Sequence, residues 1–372
     1  MFRTRFTRRL PAAVAVAGLA LAAAACGGGE SSTGAAPAQT AAAQLNAQAD
    51  LSKQSVNITV WDGYTPKELA EKAKAALKIS DIKIGLHETN EKAIAKLTAS
   101  ADSGIDVAFV SGQYAQALAQ QGLLEPIHPE LIPNLANLYP EATQLSYDKG
   151  NKFSVPYTWG TTGICYRKDL LKTAPTSWND ILSPPAEAEK KVTMMTTERW
   201  LALPALKMLG YSVNTDKDEE IAKAKELLVK AKPHLLGYDD TTFGEKLKTG
   251  EAVMVEAWDG WCPTSEKNIG WAVPKEGSDL WVDTMVIMKT SKNKEAAHAL
   301  INYILSPEIH SWAAENIGYK VPNKAAMDKV KVTEGSLLGI TPADLLQGES
   351  IIDLGEASKK YSRLSAEVAA QQ

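Results

Sequence analysis

The sequence predicts a mixed α/β fold arranged in two lobes. Short β-branched strand patterns alternate with amphipathic helix patterns early in the chain, a rhythm typical of an α/β sheet with crossover helices. A similar rhythm returns after residue 160. The stretch 51–372 is long enough to form two lobes.

The predicted elements follow one another in a regular order. The first half predicts strands over 56–60, 82–86 and 106–110, and helices over 67–77, 90–100 and 113–121. A proline-punctuated loop region, 126–140, separates the two parts. The second part predicts strands over 163–167, 252–258, 269–273 and 281–288, and helices over 221–232, 294–305 and 307–315.

The N-terminus indicates export. Four arginines before residue 10 precede an apolar run, 10–25, which is too short for a transmembrane helix and typical of a secretory signal peptide over 1–25. The run ends in three alanines and Cys26, followed by glycines, which resembles the lipobox of bacterial lipoproteins. Cys26 would then be acylated and anchor the chain to the membrane. The alternative is an ordinary signal peptide with Cys26 incidental.

The residues after Cys26 predict a flexible tether over 26–54. Gly, Ala, Ser, Thr and Gln dominate there, and such a composition cannot bury enough apolar surface to fold. Without the four signal-peptide arginines, 36 basic residues face 44 acidic ones, a formal net charge of −8. A mildly acidic body argues against nucleic acid as a partner and mildly favours cationic ligands.

The cysteine and histidine content predicts neither a metal site nor a cofactor. Only Cys165 and Cys262 remain once Cys26 carries lipid, too few for a four-ligand zinc site. The five histidines are scattered without HExxH spacing. Outside the cytoplasm the two cysteines can pair, although spacing alone does not decide it.

Two polar and aromatic motifs, at 61–64 and 111–114, lie at carboxyl ends of predicted strands. Ligands of open α/β sheets bind at that edge. These motifs belong to a series that extends along the chain: Trp-Asp-Gly-Tyr at 61–64, the block 106–122, Ser-Val-Pro-Tyr-Thr-Trp-Gly at 154–160, Ser-Trp-Asn-Asp at 177–180, Leu-Gly-Tyr at 209–211, Val-Pro-Lys-Glu-Gly at 273–277, Trp-Val-Asp at 281–283 and Ile-Gly-Tyr-Lys-Val-Pro-Asn at 317–323.

In this order the series resembles the spermidine/putrescine-binding proteins of ABC importers, over residues 56–359. The resemblance implies the two-lobed type II periplasmic-binding-protein fold, with two interlobe crossings near 160–167 and 274–283. Lobe 1 would be 55–159 plus 283–327, and lobe 2 would be 160–282 plus 328–372. It also implies that the strands near Cys165 and Cys262 are neighbours, so a disulfide and two free thiols are equally expected.

The resemblance further implies a ligand site that boxes methylenes between aromatic rings and holds ammonium groups on carboxylates. The box would consist of Trp61, Tyr64, Trp258, Trp281 and Tyr319. Asp283 would bind an ammonium group, with Ser111 as a polar contact beside it. A protonated diamine needs such flat faces and about one carboxylate per buried charge.

Several of these side chains also have purely structural interpretations. A tryptophan at a strand end often only packs in the core, and we prefer that interpretation for Trp178, Trp271 and Trp312. Ser111 can cap the following helix, and Tyr319 can be a turn residue. A hinge role and a pocket role are equally expected for Trp159.

The sequence departs from the family at one end of the predicted pocket. Two family carboxylates fall on Thr197 and Trp200, a tyrosine falls on Gln113, and a C-terminal glutamine falls on Ile351. Asp62, Asp259 or Glu198 would have to supply a substitute carboxylate. We therefore expect a small organic cation, with shorter amines preferred over spermidine.

The sequence thus predicts a binding protein rather than an enzyme. It would be a lipid-anchored monomer on the outer face of the cell membrane that captures a polyamine for an ABC permease. A quaternary ammonium ligand is the alternative within binding proteins. A sensor lipoprotein or a secreted hydrolase with paired carboxylates is less favoured, because the pocket loses acids that a hydrolase would need.

Overall fold

The computed structural model describes residues 45–370 and contains two separate sheets. The strands are β1 Ser55–Trp61, β2 Asp81–His87, β3 Val107–Ser111, β4 Val155–Gly160, β5 Thr162–Arg167, β6 Val192–Met194, β7 Gly237–Tyr238, β8 Met254–Trp258, β9 Ile269–Ala272, β10 Asp279–Ile287 and β11 Glu349–Ser350. The predicted α/β fold in two lobes is confirmed.

The helices pack around both sheets. They are α1 Leu69–Leu77, α2 Asn90–Thr98, α3 Gly112–Gln120, α4 Asn179–Leu182, α5 Glu198–Met208, α6 Asp218–Ala231, α7 Phe243–Thr249, α8 Lys294–Ile304, α9 Pro307–Asn316, α10 Lys324–Met327, α11 Pro342–Leu345 and α12 Ser358–Ala370. Helix α12 was not predicted from the sequence. Its buried Tyr361, Leu364 and Val368 pack in the core of the second lobe.

The first sheet has the order β11-β10-β3-β1-β2, and β4 also pairs with β10. β1 runs parallel to β2 and β3, while β10 runs antiparallel to β3 and β4. Every residue of β10 is buried, because this strand lies inside the sheet between its neighbours. The pairing places Asp283 opposite both Ser111 of β3 and Thr158 of β4.

The second sheet has the order β7-β6-β8-β5-β9. Its two parallel pairs, β6 with β7 and β6 with β8, have their carboxyl ends at the same edge. β5 is antiparallel to β8 and β9. Cys165 on β5 and Cys262 after β8 form a disulfide with Cα atoms 5.7 Å apart, which attaches the loop after β8 to the sheet.

The chain passes from the first sheet to the second between β4 and β5 and returns between β9 and β10. These two crossings are bonded to each other. The Thr162 amide donates to Asp279 Oδ1 (2.8 Å), the Thr161 hydroxyl donates to the Asp279 carbonyl (2.7 Å), and the Ser278 hydroxyl donates to the Thr162 carbonyl (2.6 Å). The crossings therefore form one connected strip.

Both ends of the described chain join this body. Leu51 packs against the first core, and the Gln54 side chain accepts from the Ala296 amide (3.0 Å), so the last residues of the predicted tether belong to the folded body. The predicted division assigns 328–372 to lobe 2. In the structure Leu345 packs in the first core and β11 pairs with β10, whereas α12 lies against α5 and α6.

Candidate ligand site

The carboxylate of Asp283 lies at the centre of the candidate site. Tyr64 Oη donates to its Oδ2 and Ser111 Oγ donates to its Oδ1, each at 2.6 Å. The pairing of β10 with β3 explains the second bond, because it sets Asp283 directly opposite Ser111. Tyr64 reaches the site from the turn after β1, where Gly63 takes a φ of 71° that favours glycine.

Asn90 fixes Ser111 in place. Its Nδ2 donates to Ser111 Oγ (3.0 Å), and its Oδ1 accepts from the Ser111 amide (2.9 Å). Asn90 is the first residue of α2, which starts there because the Thr89 side chain caps it. Ser111 itself makes no side-chain cap bond to α3, so its hydroxyl serves Asp283 instead. Sequence reasoning missed Asn90, and only its place after a capping threonine signals it.

Burial raises the pKa of the Asp283 carboxyl, while the hydrogen bonds from Ser111 and Tyr64 act in the opposite direction. Burial and the neighbouring Asp283 charge raise the pKa of Tyr64 well above its usual value, so this phenol stays a neutral donor. Among residues 45–370, no lysine, arginine or histidine pairs with Asp283. Its buried charge is therefore stabilised by two hydroxyl groups and by no cation.

Aromatic rings surround this carboxylate. The Trp281 and Tyr319 rings meet edge to face with centroids 4.6 Å apart, and Tyr319 lies 6.4 Å from the ring of Tyr64. Tyr64 in turn lies 5.1 Å from Trp61. The indole nitrogen of Trp281 is buried and has no hydrogen-bond partner in the described part of the chain. Four of the five predicted box residues thus form a continuous series of rings, and Tyr64 within this series is bonded to Asp283.

The fifth predicted box residue, Trp258, lies against Trp200 with the ring centroids 5.6 Å apart, edge to face. Trp200 Nε1 donates to Asp279 Oδ2 (2.9 Å), which ties this pair to the second crossing. Trp200, Trp281 and Tyr319 belong to one apolar cluster that Trp258 packs against. The Trp200–Trp258 pair and the ring series that contains Trp281 and Tyr319 therefore pack together where the two lobes meet.

Two further buried acids lie beside these rings. Asp279 is fully buried and accepts from Thr162, Ser278 and Trp200. Asp259, 3% exposed, follows β8, and its Oδ1 accepts from the Gly260 amide (2.9 Å). Sequence reasoning missed Asp279, whose signal is a charged residue at the first position of the mainly apolar strand β10.

Burial raises the pKa of Asp259 to about 8, and the nearby Asp279 charge adds to the effect, while amides of Gly260 and Thr161 oppose it. The charge of Asp259 also acts on two neighbours, raising the pKa values of Tyr319 and Lys320, although burial lowers that of Lys320 overall. The ammonium of Lys320 donates to the Leu338 carbonyl (2.8 Å) rather than to a carboxylate.

The remaining sequence candidates lie at different places. Asp62 is exposed, and Gln113 is buried in the first turn of α3. Thr197 precedes α5 and is partly exposed, and the adjacent Glu198 accepts from Ser362 Oγ (2.8 Å). Trp159 is buried in the first core, stacked on Tyr139 with centroids 6.0 Å apart.

A cavity of about 510 Å3 lies next to Asp259 and Gly318, and none of the five predicted box residues lines it. Asp259 and the loop from Cys262 to Ser265 line one side of it, and Glu315, Gly318 and the segment from Ser336 to Leu338 line the other. Asp259 thus lines this space and also contacts the aromatic site.

Comparison with known proteins assigns the family of this chain. Residues 68–338 match the family model described as bacterial extracellular solute-binding protein. The chain is a member of this family. Similar curated relatives include the "Spermidine/putrescine-binding periplasmic protein" of Salmonella typhimurium, 32% identical over 81% of this chain and 87% of its own length. The "Spermidine/putrescine-binding periplasmic protein 1" of Haemophilus influenzae is 32% identical over 85% and 89%.

Solved structures agree with this solute-binding-protein fold. The TpPotD lipoprotein of Treponema pallidum superimposes with a TM-score of 0.76 at 26% identity, covering 84% of this chain and 99% of its own. The spermidine/putrescine substrate-binding protein PotD from Streptococcus pneumoniae gives 0.73, also at 26% identity, over 86% and 99%. Resemblance, fold and family predicted from the sequence are confirmed.

Residues 45–370 contain neither a membrane-spanning helix nor a metal-binding cluster. None of the helices there has the length and apolar character needed to cross a membrane. Within the same residues, no group of three or more His, Cys, Asp or Glu side chains is arranged to hold a metal ion. The predicted signal peptide and Cys26 lie outside the described residues.

Proposed function

We propose that this solute-binding protein captures a polyamine of the putrescine/spermidine class outside the cytoplasm and delivers it to the permease of an ABC importer. The observation that carries the proposal is Asp283, a buried carboxylate that has two hydroxyl donors and no cationic partner among the described residues. A ligand ammonium would supply the missing positive charge. The names of the curated relatives support the same class of ligand.

The rings around Asp283 suit the rest of such a ligand. Trp61, Tyr64, Trp281 and Tyr319 offer flat apolar faces to methylene groups, and their π faces attract the ammonium ends. Binding and delivering a solute requires no covalent bond to be made or broken, so we propose no catalytic role for the chain. Lobe closure on the ligand would present the loaded form to the permease.

The predicted anchor is part of this proposal. Acylated Cys26 would hold the monomeric domain on the outer face of the membrane, with residues after it as a tether. One solved relative is described as a lipoprotein, which supports this arrangement. The anchor keeps the binding domain close to the permease, so a captured amine has little distance to diffuse.

The test is calorimetry and thermal unfolding of residues 45–372 with putrescine, spermidine, choline and glucose. We expect the amines to bind and glucose not to bind, and a ligand that binds only the folded state to raise the melting temperature. Asp283→Asn keeps the shape and removes the charge, so it should cost about 2–5 kcal/mol of binding free energy.

The matched control is Asp102→Asn. Asp102 is an exposed acid whose Oδ1 accepts from the backbone amide of Gly104, and it should leave amine binding unchanged. Choline bound more tightly than every diamine would favour the quaternary ammonium alternative. Binding of amines that survives Asp283→Asn intact would contradict the assigned site.

A further inference from the structure

The aromatic site has one obvious ammonium partner, Asp283, whereas a diamine has two charges. The sequence offered three acids as the second partner, and the structure separates them. Asp62 is exposed, and Glu198 is bonded to Ser362 away from the rings. Asp259 is 97% buried and lies against the rings.

The pairing of β4 with β10 brings Gly160 and Trp281 together, and the Asp259 carboxylate lies beside both. Gly160 lies opposite Trp281, and a Cβ added to Gly160 would be 2.2 Å from Trp281 Cζ2 and 2.3 Å from Asp259 Oδ1. The Asp259 carboxylate and the Trp281 ring therefore share the space above Gly160, which only glycine leaves open.

This space lies on the same face of the sheet as Asp283. Trp281 and Asp283 are two residues apart on β10, so their side chains leave the same face about 7 Å apart along the strand. The Tyr319 phenol is influenced by the charges of both Asp259 and Asp283, which places its ring near both acids.

The Asp259 carboxyl also has no ion-pair partner within 4 Å among the described residues, although Lys320 lies near enough for the two charges to interact. Its Oδ1 accepts from the Gly260 amide (2.9 Å), and no side chain of the described residues donates to it. The ammonium of Lys320 is directed to the Leu338 carbonyl instead. By contrast, both oxygens of Asp279 already accept hydrogen bonds and none of that residue is exposed.

We propose that Asp259 binds the second ammonium group of the ligand, in place of the family carboxylates that are absent at Thr197 and Trp200. This inference rests on the proposed function, because it assumes an amine beside Asp283. It makes Asp259 a determinant of ligand length, because a ligand has to reach from Asp283 to Asp259 to use both acids, and the Trp281 and Tyr319 rings beside them hold its methylenes. The raised pKa of Asp259 fits a carboxyl that becomes fully ionised only when an ammonium arrives.

The experiment compares putrescine with n-butylamine, which has the same carbon chain and only one ammonium. Calorimetry would be run on the domain of residues 45–372 as wild type, Asp259→Asn, Asp283→Asn and the control Asp102→Asn. We expect Asp259→Asn to weaken putrescine by roughly 30-fold or more, as truncating one partner of a buried charge pair does. Butylamine, which uses Asp283 alone, should change by less than about threefold.

An Asp259→Asn protein that loses putrescine and butylamine equally, or loses neither, would overturn the role of Asp259 and leave the proposed function standing. A wild-type domain that binds no amine would overturn both. Thermal unfolding without ligand checks that the variant folds. Asp259→Ser, whose hydroxyl can still accept from the Gly260 amide, repeats the comparison if the asparagine variant unfolds.

Discussion

Replacing Gly260 with alanine tests whether the contact between the two lobes controls binding. Gly260 follows β8 of the second sheet, and the ring of Tyr319 lies directly against its Cα. A Cβ at Gly260 would be 2.2 Å from Tyr319 Cδ1 and 2.8 Å from the Gly318 carbonyl oxygen. Tyr319 precedes Lys320, which is bonded to Trp159 of the first sheet, so the added methyl group would press the lobes apart.

The expected magnitude follows from overpacking. Inserting a methyl group into a packed contact costs about 1–3 kcal/mol. If the cost falls only on the closed arrangement of the lobes, amine affinity should drop by about 5- to 150-fold. The unliganded domain can relieve the clash by opening, so its free energy of unfolding should stay nearly constant.

Calorimetry and urea unfolding measure these two quantities separately. The control is Gly244→Ala in α7, where the nearest atom to an added Cβ is 3.5 Å away, and this change should leave affinity intact. The reasoning is refuted if Gly260→Ala binds putrescine as tightly as wild type. It is also refuted if affinity and unliganded stability fall together, because the clash would then exist in every state.

Three further predictions concern other parts of the molecule. The mature domain, denatured without reductant, should show no titratable thiol, and two titratable thiols would contradict the disulfide. Reduction of the Cys165–Cys262 bond should lower the free energy of unfolding by about 2–4 kcal/mol. Because the folded-state pKa of Asp259 is about 8, the unfolded chain holds fewer protons between about pH 4 and 8, so unfolding free energy should fall as pH rises. Urea unfolding at several pH values should show a shallower fall for Asp259→Asn. Cys26→Ser should release the protein from the membrane fraction or block its maturation, and unchanged retention would refute the anchor.

The sequence predicted well wherever local pattern and neighbouring strands decide the structure. Predicted strands such as 56–60 and 82–86 match β1 and β2 within a residue at each end, because β-branched alternation is a local property. The candidates Ser111 and Asp283 are brought together by the pairing of β3 with β10. Sequence motifs identified both residues, but not the bond between them.

What the sequence missed depends on contacts between distant segments. Asn90 reads as an ordinary helix start, and its role appears only when β3 places Ser111 beside it. Asp279 lies just before the strand predicted over 281–288. Its role in joining the two crossings depends on the Thr162 amide, which is 117 residues away in the chain. Helix α12 buries Tyr361, Leu364 and Val368 among its 13 residues, so it was indistinguishable from a solvated tail until α5 and α6 covered its apolar side.

The bonded strip formed by the two crossings has a consequence for motion. Since Thr161 and Thr162 are tied to Ser278 and Asp279, neither crossing can slide past the other without breaking buried hydrogen bonds. Relative movement of the lobes that keeps these bonds has to bend the two crossings together. Trp281 and Asp283 continue along the same strand. A bend in the strip is therefore transmitted along β10 to Trp281 and Asp283 in the candidate site.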